Sequence, residues 1–357
     1  MTEVYNLAAA PHTFGLPYRL RDTRALLQKL AQESVRPMFV FALDGIPYQF
    51  AANCWSSASV YPALSETPTS SAPCWLSSVT GLSPIDHGAL GAVQRFGIDD
   101  REAQFIFSYA GGTFGAKSTV FDDMRSLGRR VICSDSDLCG LDGAWRDALT
   151  HGAEYCATGP FFAGAGRASA REIVERIADC IEAWVKDGPE IFVWTFIDID
   201  LYIHHNGYDN YVKQMLILLD GVFARFASIA DIVAYSDHGL VPTRHDPVVA
   251  AVLEDFCILN RLELAGAGRM RWLYNVDPSR REMLLADLGN KLPAGISLHA
   301  REEIFPEFLM NDRFCHRVGE IVMIATAENF LTDPDYRFDH GGLSEIEMSI
   351  PFALWRS

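Results

Sequence analysis

Continuous apolar runs recur along the chain, and several of them end in acidic residues. The run MFVFAL leads into Asp44 and Gly45, IFVWTFI leads towards Asp200, and DIVAY leads towards Asp237 and His238. Uninterrupted apolar runs of this length are typical of strands that are buried on both faces of a parallel sheet. Ligands bind beyond the carboxyl ends of such strands, so the pattern predicts that these polar residues share one functional edge.

Segments with helical spacing lie between these runs. Alanine and leucine recur at helical intervals in residues 23–35. Residues 169–188 are strongly amphipathic and end in glycine, and another long helix is expected at about 208–228. A helix, a turn at Gly128 and a strand are predicted within 119–135. This alternation predicts an α/β fold in which helices cover a mostly parallel sheet.

The alternation breaks at residues 246–318, which divides the chain into parts. The broken stretch is interpreted as an inserted cap, with a plain continuation of the core as the alternative. The apolar run at 319–327 is predicted to be a strand that returns to the core, and Ser344 with Glu347 has the spacing of a helix capping box. The predicted parts are an N-terminal extension (1–30), the first part of the core (31–245), the cap (246–318) and the closing part of the core (319–357).

Composition and charge exclude several classes of protein. The chain has 357 residues, of which 49% are hydrophobic, enough for one large core with or without an insertion. Its formal net charge of −16 argues against binding to nucleic-acid polymers. We find no apolar stretch long enough for a membrane span, no signal-peptide pattern and no CxxC pair among the eight cysteines. We therefore expect a cytoplasmic protein without membrane association.

A serine near the start of a predicted helix stands out in residues 67–88, TPTSSAPCWLSSVTGLSPIDHG. Ser71 comes two residues before Pro73, and proline fits the first turn of a helix. The free N–H groups and the positive dipole end at a helix start are a natural seat for phosphate. Ser71 is therefore either only a helix cap or part of a seat for a bound phosphate. If the helix starts earlier, Thr69 or Ser70 would be the hydroxyl at that seat and so the alternative nucleophile.

This segment resembles the nucleotide pyrophosphatase/phosphodiesterase branch of the alkaline phosphatase superfamily. That branch carries Pro-Thr-x-Thr-x-Pro-Asn, followed by Val-Thr-Gly-Leu-x-Pro-x-x-His-Gly. The matching residues here are Pro68, Thr69, Pro73, Val79, Thr80, Gly81, Leu82, Pro84, His87 and Gly88. The resemblance implies an alkaline-phosphatase-like three-layer sandwich with Ser71 as the nucleophile. Cys74 takes the position of an Asn that helps to hold the phosphoryl oxygens, so we expect it either to contact the substrate phosphate through its backbone or simply to pack. Trp75 beside it either lines the substrate pocket or fills the core.

The resemblance also implies the ligands of two metal ions. The family's Asp-x-x-x-His, Ser-Asp-His-Gly, His-Gly and Asp-Gly motifs all have counterparts in family order. One ion would take Asp200, His204 and His340, and the other would take Asp44, Asp237, His238 and the Ser71 oxygen. Three carboxylates with three imidazoles suit zinc, with manganese or iron as alternatives.

Other polar residues near these motifs are expected to play supporting roles. His205 and His245 are expected behind the ligands or at the surface, and His87 is expected to be structural. Asp198 and Asp339 either orient histidines or are solvated. The possible contacts for a second anionic group of the substrate are Arg244, Arg269 and Arg271.

The leading hypothesis is a two-metal phosphohydrolase that forms a phosphoseryl intermediate on a small phosphodiester or nucleotide-type substrate. A phosphomonoesterase and a phosphonate hydrolase of the same superfamily are the alternatives. A sulfatase fits poorly because its Cys/Ser-x-Pro-x-Arg motif needs arginine where this chain has Trp75. A non-catalytic binding relative is the alternative from another class, although such proteins tend to lose metal ligands. The oligomeric state stays open, with a dimer among the options.

Overall fold

The core of the protein is a seven-stranded sheet, seen in a computed structural model that describes residues 18–111, 114–135, 137–138, 141–157, 159, 161 and 168–356. Five adjacent strands run parallel, and one strand near the edge is antiparallel to both of its neighbours. In spatial order the strands are β2 (Ser59–Leu64), β17 (Ser349–Trp355), β8 (Asp231–Tyr235), β1 (Met38–Leu43), β7 (Ile191–Ile197), β5 (Arg130–Asp135) and β6 (Glu154–Ala157).

Strand β1 shows why the apolar runs form the centre of the molecule. All six of its residues are buried, and successive side chains point to opposite faces of the sheet. Phe39 and Phe41 pack into the hydrophobic cluster on one face, whereas Val40 and Ala42 pack into the cluster on the other. A strand with helices on both sides has to be apolar at every position, and this confirms the interpretation of the run.

Helices cover both faces of the sheet, which confirms the predicted α/β three-layer sandwich. The helices at 23–35, 169–188 and 208–228 were predicted within a few residues of their observed ends. One face carries α2 (Tyr48–Cys54), α7 (Ala170–Val185), α8 (Asp200–Asn206) and α9 (Asn210–Phe226). The other carries α1 (Thr23–Glu33), α3 (Ser71–Thr80), α5 (Val120–Ser126) and α6 (Ala144–Leu149).

A second, four-stranded antiparallel sheet, here called the small sheet, lies largely within the predicted cap. Its strands in spatial order are β11 (Glu263–Ala267), β12 (Met270–Tyr274), β14 (Ile321–Ala325) and β13 (Ile296–Ala300). Three helices lie in and around the small sheet: α10 (Pro247–Asn260), α11 (Arg281–Lys291) and α12 (Arg301–Ile304). Two short helices belong to the core: α4 (Pro84–His87) and α13 (Glu345–Met348).

The strand predicted at 319–327 was assigned to the wrong sheet. It forms β14, which pairs with β12 and β13 in the small sheet and not with the core. Val322 and Ile324 pack on one side of that sheet, whereas Ile321 and Met323 pack on the other. Because β14 is buried on both faces, its apolar run looks the same as that of a core strand. The chain returns to the central sheet only at β17.

The predicted N-terminal extension also needs a correction where the structure describes it. Residues 1–17 lie outside the described residues. Residues 18–30, however, are part of the core, because Leu20 and Leu27 are buried in the cluster that α3 and α5 share. Among the helices of the described residues, none is both long and apolar enough to cross a membrane.

Short strand pairs connect the loops around the sheet. They are β3 (Val93–Gln94) with β4 (Gln104–Phe105), β9 (Val241–Pro242) with β16 (Phe338–Asp339), and β10 (Arg244–His245) with β15 (Asn329–Phe330). The pair β9–β16 matters for the site, because it joins the loop that follows β8 to the segment that precedes His340.

Candidate active site

The polar residues that follow β1, β7 and β8 meet at one edge of the central sheet. Asp44 comes directly after β1, Asp237 and His238 follow β8, and Asp200 is the first residue of α8, just beyond β7. These three strands are parallel neighbours, so their carboxyl ends lie side by side. The expectation that these residues share an edge is confirmed.

Two histidines complete the group from other elements. His204 lies one helical turn after Asp200 in α8, and its Nε2 is 2.8 Å from Asp200 Oδ2. His340 arrives from the segment after β16, with its Nε2 3.9 Å from the same carboxylate oxygen. Its ring stacks on that of His238 at 3.9 Å between centroids, so the two predicted ligand groups are in contact.

The ligand atoms gather into overlapping clusters of the kind that hold metal ions. Asp44, Asp237 and His238 place one ligand atom each within 4.8 Å of one another, and so do Asp200, His238 and His340. His238 Nε2 lies 3.2 Å from Asp237 Oδ2 and 3.6 Å from Asp44 Oδ1. His205 and His245 belong to no such cluster among the described residues, and each instead contacts a backbone carbonyl through Nδ1.

Ser71 is the first residue of α3 and faces one of these clusters. Its Oγ lies 3.2 Å from His238 Nε2 and 3.4 Å from Asp44 Oδ1. The two alternative hydroxyls are less suitable as nucleophiles. Thr69 Oγ1 donates a hydrogen bond to Gly342 O and accepts one from Gly341 N, and Ser70, which precedes the helix in extended conformation, is buried. Of the three hydroxyls, that of Ser71 is the one directed at the predicted ligands.

Backbone carbonyls fix the orientation of two of the histidines. His204 Nδ1 donates a hydrogen bond to Phe338 O at 2.8 Å, and His340 Nδ1 donates one to Thr69 O at 2.8 Å. Each bond leaves Nε2 free to face Asp200 and a metal ion, which is the usual arrangement behind histidine ligands. Asp339 lies behind them, with its Oδ1 3.9 Å from His204 Nδ1 and accepting a bond from the His340 N–H.

The site fits metal ions because it contains buried polar atoms that the protein leaves unpaired. Asp200 Oδ1, Asp237 Oδ2 and His238 Nδ1 are buried and have no hydrogen-bond partner among the described residues. An unpaired buried carboxylate oxygen is costly unless a cation balances it. All three atoms belong to predicted ligands. The two oxygens belong to predicted ligands of different ions, and zinc, manganese and iron all accept oxygen ligands.

The pKa values of the acidic groups reflect the same concentration of buried negative charge. Burial, and then the nearby Asp237 and Asp200 carboxylates, raise the pKa of Asp44 well above its ordinary range. Burial and Asp200 act in the same way to raise the pKa of Asp237. Burial, followed by repulsion from His340, lowers the pKa of His238. Bound divalent cations would invert these effects and keep the acids ionised.

Asp200 and His204 form the exception, because they stabilise each other. Burial alone would raise the pKa of Asp200, but the imidazoles of His204 and His340 hold it below the usual range. Burial alone would lower the pKa of His204, but attraction to Asp200 raises it to about 9. The two side chains therefore behave as an ion pair whose shared face is turned towards the site.

The two residues predicted as substrate contacts have buried side chains, so neither side chain lines an open pocket. Cys74 and Trp75 are each 0% exposed. The thiol of Cys74 contacts Ser65 Oγ and Pro68 O, and its backbone N–H bonds to Ser70 O within the helix. Trp75 fills the core, which was the alternative interpretation, and its Nε1 donates a hydrogen bond to Asp44 Oδ2 at 2.9 Å. It therefore orients a predicted metal ligand.

Two of the arginines considered for substrate binding, Arg269, which is buried, and Arg271, which is half-buried, form hydrogen bonds elsewhere. Arg269 binds Glu347 and two backbone carbonyls, and Arg271 binds the carbonyls of Gly266 and Leu331. Arg244 is exposed. Sequence reasoning missed that Arg269 N donates a hydrogen bond to His340 O and that the Tyr208 hydroxyl bonds to Gly45 O and Leu240 N, because neither residue belongs to a motif.

Comparisons with known proteins agree with this geometry. The sequence model of the family "Type I phosphodiesterase / nucleotide pyrophosphatase" matches residues 49–342. A search of curated protein sequences found no match. Among solved structures, phosphonoacetate hydrolase from Sinorhizobium meliloti 1021, in complex with phosphonoformate, superposes with a TM-score of 0.67 at 19% identity, covering 90% of each chain. Murine ectonucleotide pyrophosphatase/phosphodiesterase 5 superposes with a TM-score of 0.62 at 16% identity, covering 90% of this chain and 88% of that one.

Proposed function

Since the chain belongs to the type I phosphodiesterase/nucleotide pyrophosphatase family, in the alkaline phosphatase superfamily, we propose that it acts through a phosphoseryl intermediate on Ser71. It is a phosphoester-hydrolysing, metal-dependent enzyme, as its family is. The proposed substrate is a small phosphodiester or nucleotide-type molecule. The observation that carries the proposal is the position of Ser71 Oγ, at the start of α3 and within 3.4 Å of Asp44 and His238.

The residues around Ser71 support a site for two divalent ions. Asp44, Asp237 and His238 would hold one ion beside the Ser71 oxygen, and a second would be held by Asp200, His204 and His340. The mixed oxygen and nitrogen donors favour zinc. When bound, the ions would make the serine hydroxyl and a water molecule more acidic and would balance negative charge on the phosphoryl group.

The chain's own residues account for positioning and bond changes. The positive end of the α3 dipole lies at Ser71 and favours a phosphoryl group there. Ser71 loses its hydroxyl proton as its Oγ attacks phosphorus. The bond from phosphorus to the leaving oxygen breaks, and the leaving group departs with the electron pair and takes up a proton. Water then attacks the phosphoseryl phosphorus and breaks its bond to Oγ, which restores the serine. His204 and His340, each held through Nδ1, keep their Nε2 atoms directed into the site throughout.

Phosphonate hydrolysis is the second candidate, because the burial of Cys74 removes one feature of a typical diesterase. In the diesterase branch an asparagine at this position helps to hold the phosphoryl oxygens, whereas the Cys74 thiol is 0% exposed and contacts only neighbouring protein groups. The substrate's oxygens therefore lack that amide donor here. Phosphonoacetate hydrolase has the same fold, so the scaffold is compatible with cleavage of a carbon–phosphorus bond.

Paired hydrolysis rates test these proposals. A chromogenic phosphomonoester, the matching phosphodiester and phosphonoacetate would be supplied with zinc and then with manganese. We expect the diester to be the best of the three, and Ser71→Ala to lower that rate by ~10³-fold or more while leaving the fold intact. Thr69→Ser, which keeps the hydroxyl that binds Gly341 and Gly342, is the matched control and should retain most of the activity.

Each outcome has a clear meaning. Preference for phosphonoacetate would replace the diesterase proposal by the phosphonate hydrolase, and preference for the monoester would identify a phosphatase. Full activity in Ser71→Ala would show that the nucleophile is wrongly assigned. A phosphoseryl enzyme trapped by rapid acid quench, and absent from Ser71→Ala, would support the covalent intermediate directly.

A further inference from the structure

The turn between β11 and β12 of the small sheet lies directly on the predicted metal ligand His340. The backbone N–H of Arg269 donates a 2.7 Å hydrogen bond to His340 O. A side chain at Gly268 would place its Cβ 2.2 Å from that same carbonyl oxygen, so the turn approaches as closely as backbone allows. Gly268 has φ of +57°, which a glycine adopts without strain. The small sheet and the ligand segment are thus packed backbone to backbone.

A buried ion pair lies beneath this contact. Arg269 is 4% exposed and Glu347 is fully buried, and Arg269 Nε lies 3.2 Å from Glu347 Oε1. The remaining guanidinium N–H groups bond to Ala325 O and Ala327 O, at the end of β14. Arg269 therefore joins two adjacent strands of the small sheet to one carboxylate that belongs to the core.

The Glu347 carboxylate holds the segment that follows His340. Its Oε1 accepts a hydrogen bond from Gly342 N at 2.8 Å, and its Oε2 accepts from Ser344 Oγ at 2.7 Å and from Ser344 N. The backbone carbonyl of Glu347 accepts a bond from Gly239 N, next to His238. One residue of the short helix α13 thus contacts the loops that carry both histidines.

The loop before the nucleophile holds His340 from the opposite side. Thr69 O accepts the hydrogen bond from His340 Nδ1, and Thr69 Oγ1 accepts from Gly341 N and donates to Gly342 O. Residues 340–342 are therefore held between two supports, the Thr69 loop on one side and the Arg269–Glu347 pair on the other. A ligand held in this way loses little freedom when a metal ion binds.

We propose that Arg269 and Glu347 are positioning residues, which fix His340 for metal binding and couple the small sheet to the reaction centre. This inference rests on the proposed function only in taking His340 as a metal ligand. It changes the role of Arg269 from a candidate substrate contact to a support that never touches substrate. Buried ion pairs add little net stability compared with apolar residues, so a role in positioning explains why a charged pair occupies this place.

The first test measures zinc affinity and stoichiometry, which do not depend on turnover. Competition with a chromogenic chelator would be used on the wild type, Arg269→Lys and Glu347→Gln. His340→Ala identifies which of the two binding events belongs to the His340 site. We expect both variants to weaken that same event about 10- to 100-fold and to change the other by less than about 3-fold.

Arg271→Lys is the matched control. Arg271 is a half-buried arginine of the small sheet that is also bonded to two carbonyls, but it makes no hydrogen bond to residues 340–347 among its described contacts. We expect it to lower thermal stability without moving either zinc affinity. If Arg269→Lys fails to fold, Glu347→Gln, which preserves the shape of the side chain, decides the question.

The outcomes separate a positioning role from a merely structural one. Unchanged zinc affinities with a lower melting temperature in both variants would overturn the proposal, and so would equal weakening of both binding events. Failure of the proposed reaction would show up differently, as two bound zinc ions in the wild type without hydrolysis of any phosphoester. In that case the zinc measurement still decides the role of Arg269 and Glu347.

Discussion

His87 is a histidine that the fold keeps uncharged. It is fully buried, its Nδ1 accepts a hydrogen bond from Ala89 N at 3.1 Å, and its Nε2 lies 3.0 Å from Ser77 Oγ. Burial lowers its pKa from 6.5 to about 3. The imidazole joins α3 to the turn that follows α4, and this agrees with the structural role expected from its position in the motif.

This shift predicts that the protein loses stability in mild acid. The unfolded chain binds a proton at His87 near pH 6.5, and the folded chain does so only near pH 3, so the stabilisation is complete above 6.5 and declines as the pH falls. Between pH 7 and pH 5 we expect the free energy of unfolding to fall by about 2 kcal/mol on account of this group. Urea unfolding of wild type and His87→Gln at both pH values measures it.

The wild type and His87→Gln are compared at equal metal content, so that the difference between their stabilities at the two pH values reports on His87. In His87→Gln this part of the pH dependence should vanish. Ser77→Ala, which removes the hydrogen-bond partner but keeps the imidazole, should lower stability by ~1 kcal/mol at both pH values and retain the slope. Parallel pH profiles for wild type and His87→Gln would contradict the buried neutral state.

Trp75 shows that the sequence alone could not predict which way a single side chain faces. Its place in the motif is visible in the sequence, but the sequence left open whether it faced substrate or the core. The answer depends on Asp44, 31 residues earlier, which accepts its Nε1–H at 2.9 Å only once α3 lies against the end of β1. The proposed ligands could be named from the sequence because each belongs to a short motif whose spacing matches that of the family.

At the scale of elements, one tyrosine fastens the ends of two strands together. Tyr208, between α8 and α9, donates a hydrogen bond to Gly45 O and accepts one from Leu240 N, both at 2.8 Å. Gly45 follows Asp44, and Leu240 lies two residues beyond His238, so the hydroxyl fixes the distance between two ligand loops. Burial raises the pKa of Tyr208 well above its usual value, which keeps the hydroxyl protonated for this double role.

Tyr208→Phe should therefore weaken metal binding more than it weakens the fold. Loss of two buried hydrogen bonds would lower stability by about 1–3 kcal/mol, and we expect zinc affinity at the Asp44, Asp237 and His238 cluster to fall by ~10-fold. Chelator competition and thermal unfolding measure the two effects. Tyr211→Phe is the control, since its hydroxyl donates to Ala168 O, away from the site. Equal zinc affinities in both variants would refute the role of Tyr208.

Strands with an unbroken apolar run and helices with a strong helical period were predictable from the sequence, whereas strands that lack such a pattern were not. Strands β1, β7 and β8 are entirely buried, so their sequences carry the pattern of a parallel core. Strands β2 and β17 were missed because each contains a proline, which argues against a strand interior. In the sheet these prolines, Pro62 and Pro351, lie opposite each other in the antiparallel pair. Which sheet β14 joins could not be predicted, since its burial on both faces is common to both sheets.

For the whole molecule, the concentration of buried acid at one edge makes metal ions part of its stability. Asp44, Asp200 and Asp237 are each at most 7% exposed and lie in overlapping clusters, in a chain whose formal net charge is already −16. Without cations these carboxylates repel one another in a poorly solvated place. Ions that bind only the folded state stabilise it, by roughly 2.7 kcal/mol for each site at a hundred times its Kd.

Removal of the ions by a chelator should therefore lower the melting temperature by ~5 °C or more, and added zinc should restore it. Asp237→Asn separates the repulsion among the carboxylates from the stabilisation by bound metal ions. An amide in place of one carboxylate relieves the repulsion, so we expect the metal-free variant to melt above the metal-free wild type while zinc stabilises it far less. Differential scanning calorimetry of the wild type and of Asp237→Asn, each with and without zinc, measures the four melting temperatures.

Asp231→Asn is the matched control at the opposite end of the same strand. Asp231 begins β8, is 1% exposed, and lies 3.7 Å from Arg36 and 3.3 Å from Arg356. Its loss leaves two arginines without their carboxylate, so it should lower the melting temperature equally with and without zinc. If Asp237→Asn behaved in the same way, the acids at the functional edge would be ordinary buried ion-pair partners. A gain in metal-free stability from Asp237→Asn alone would show that this edge is built for cations at the expense of the fold.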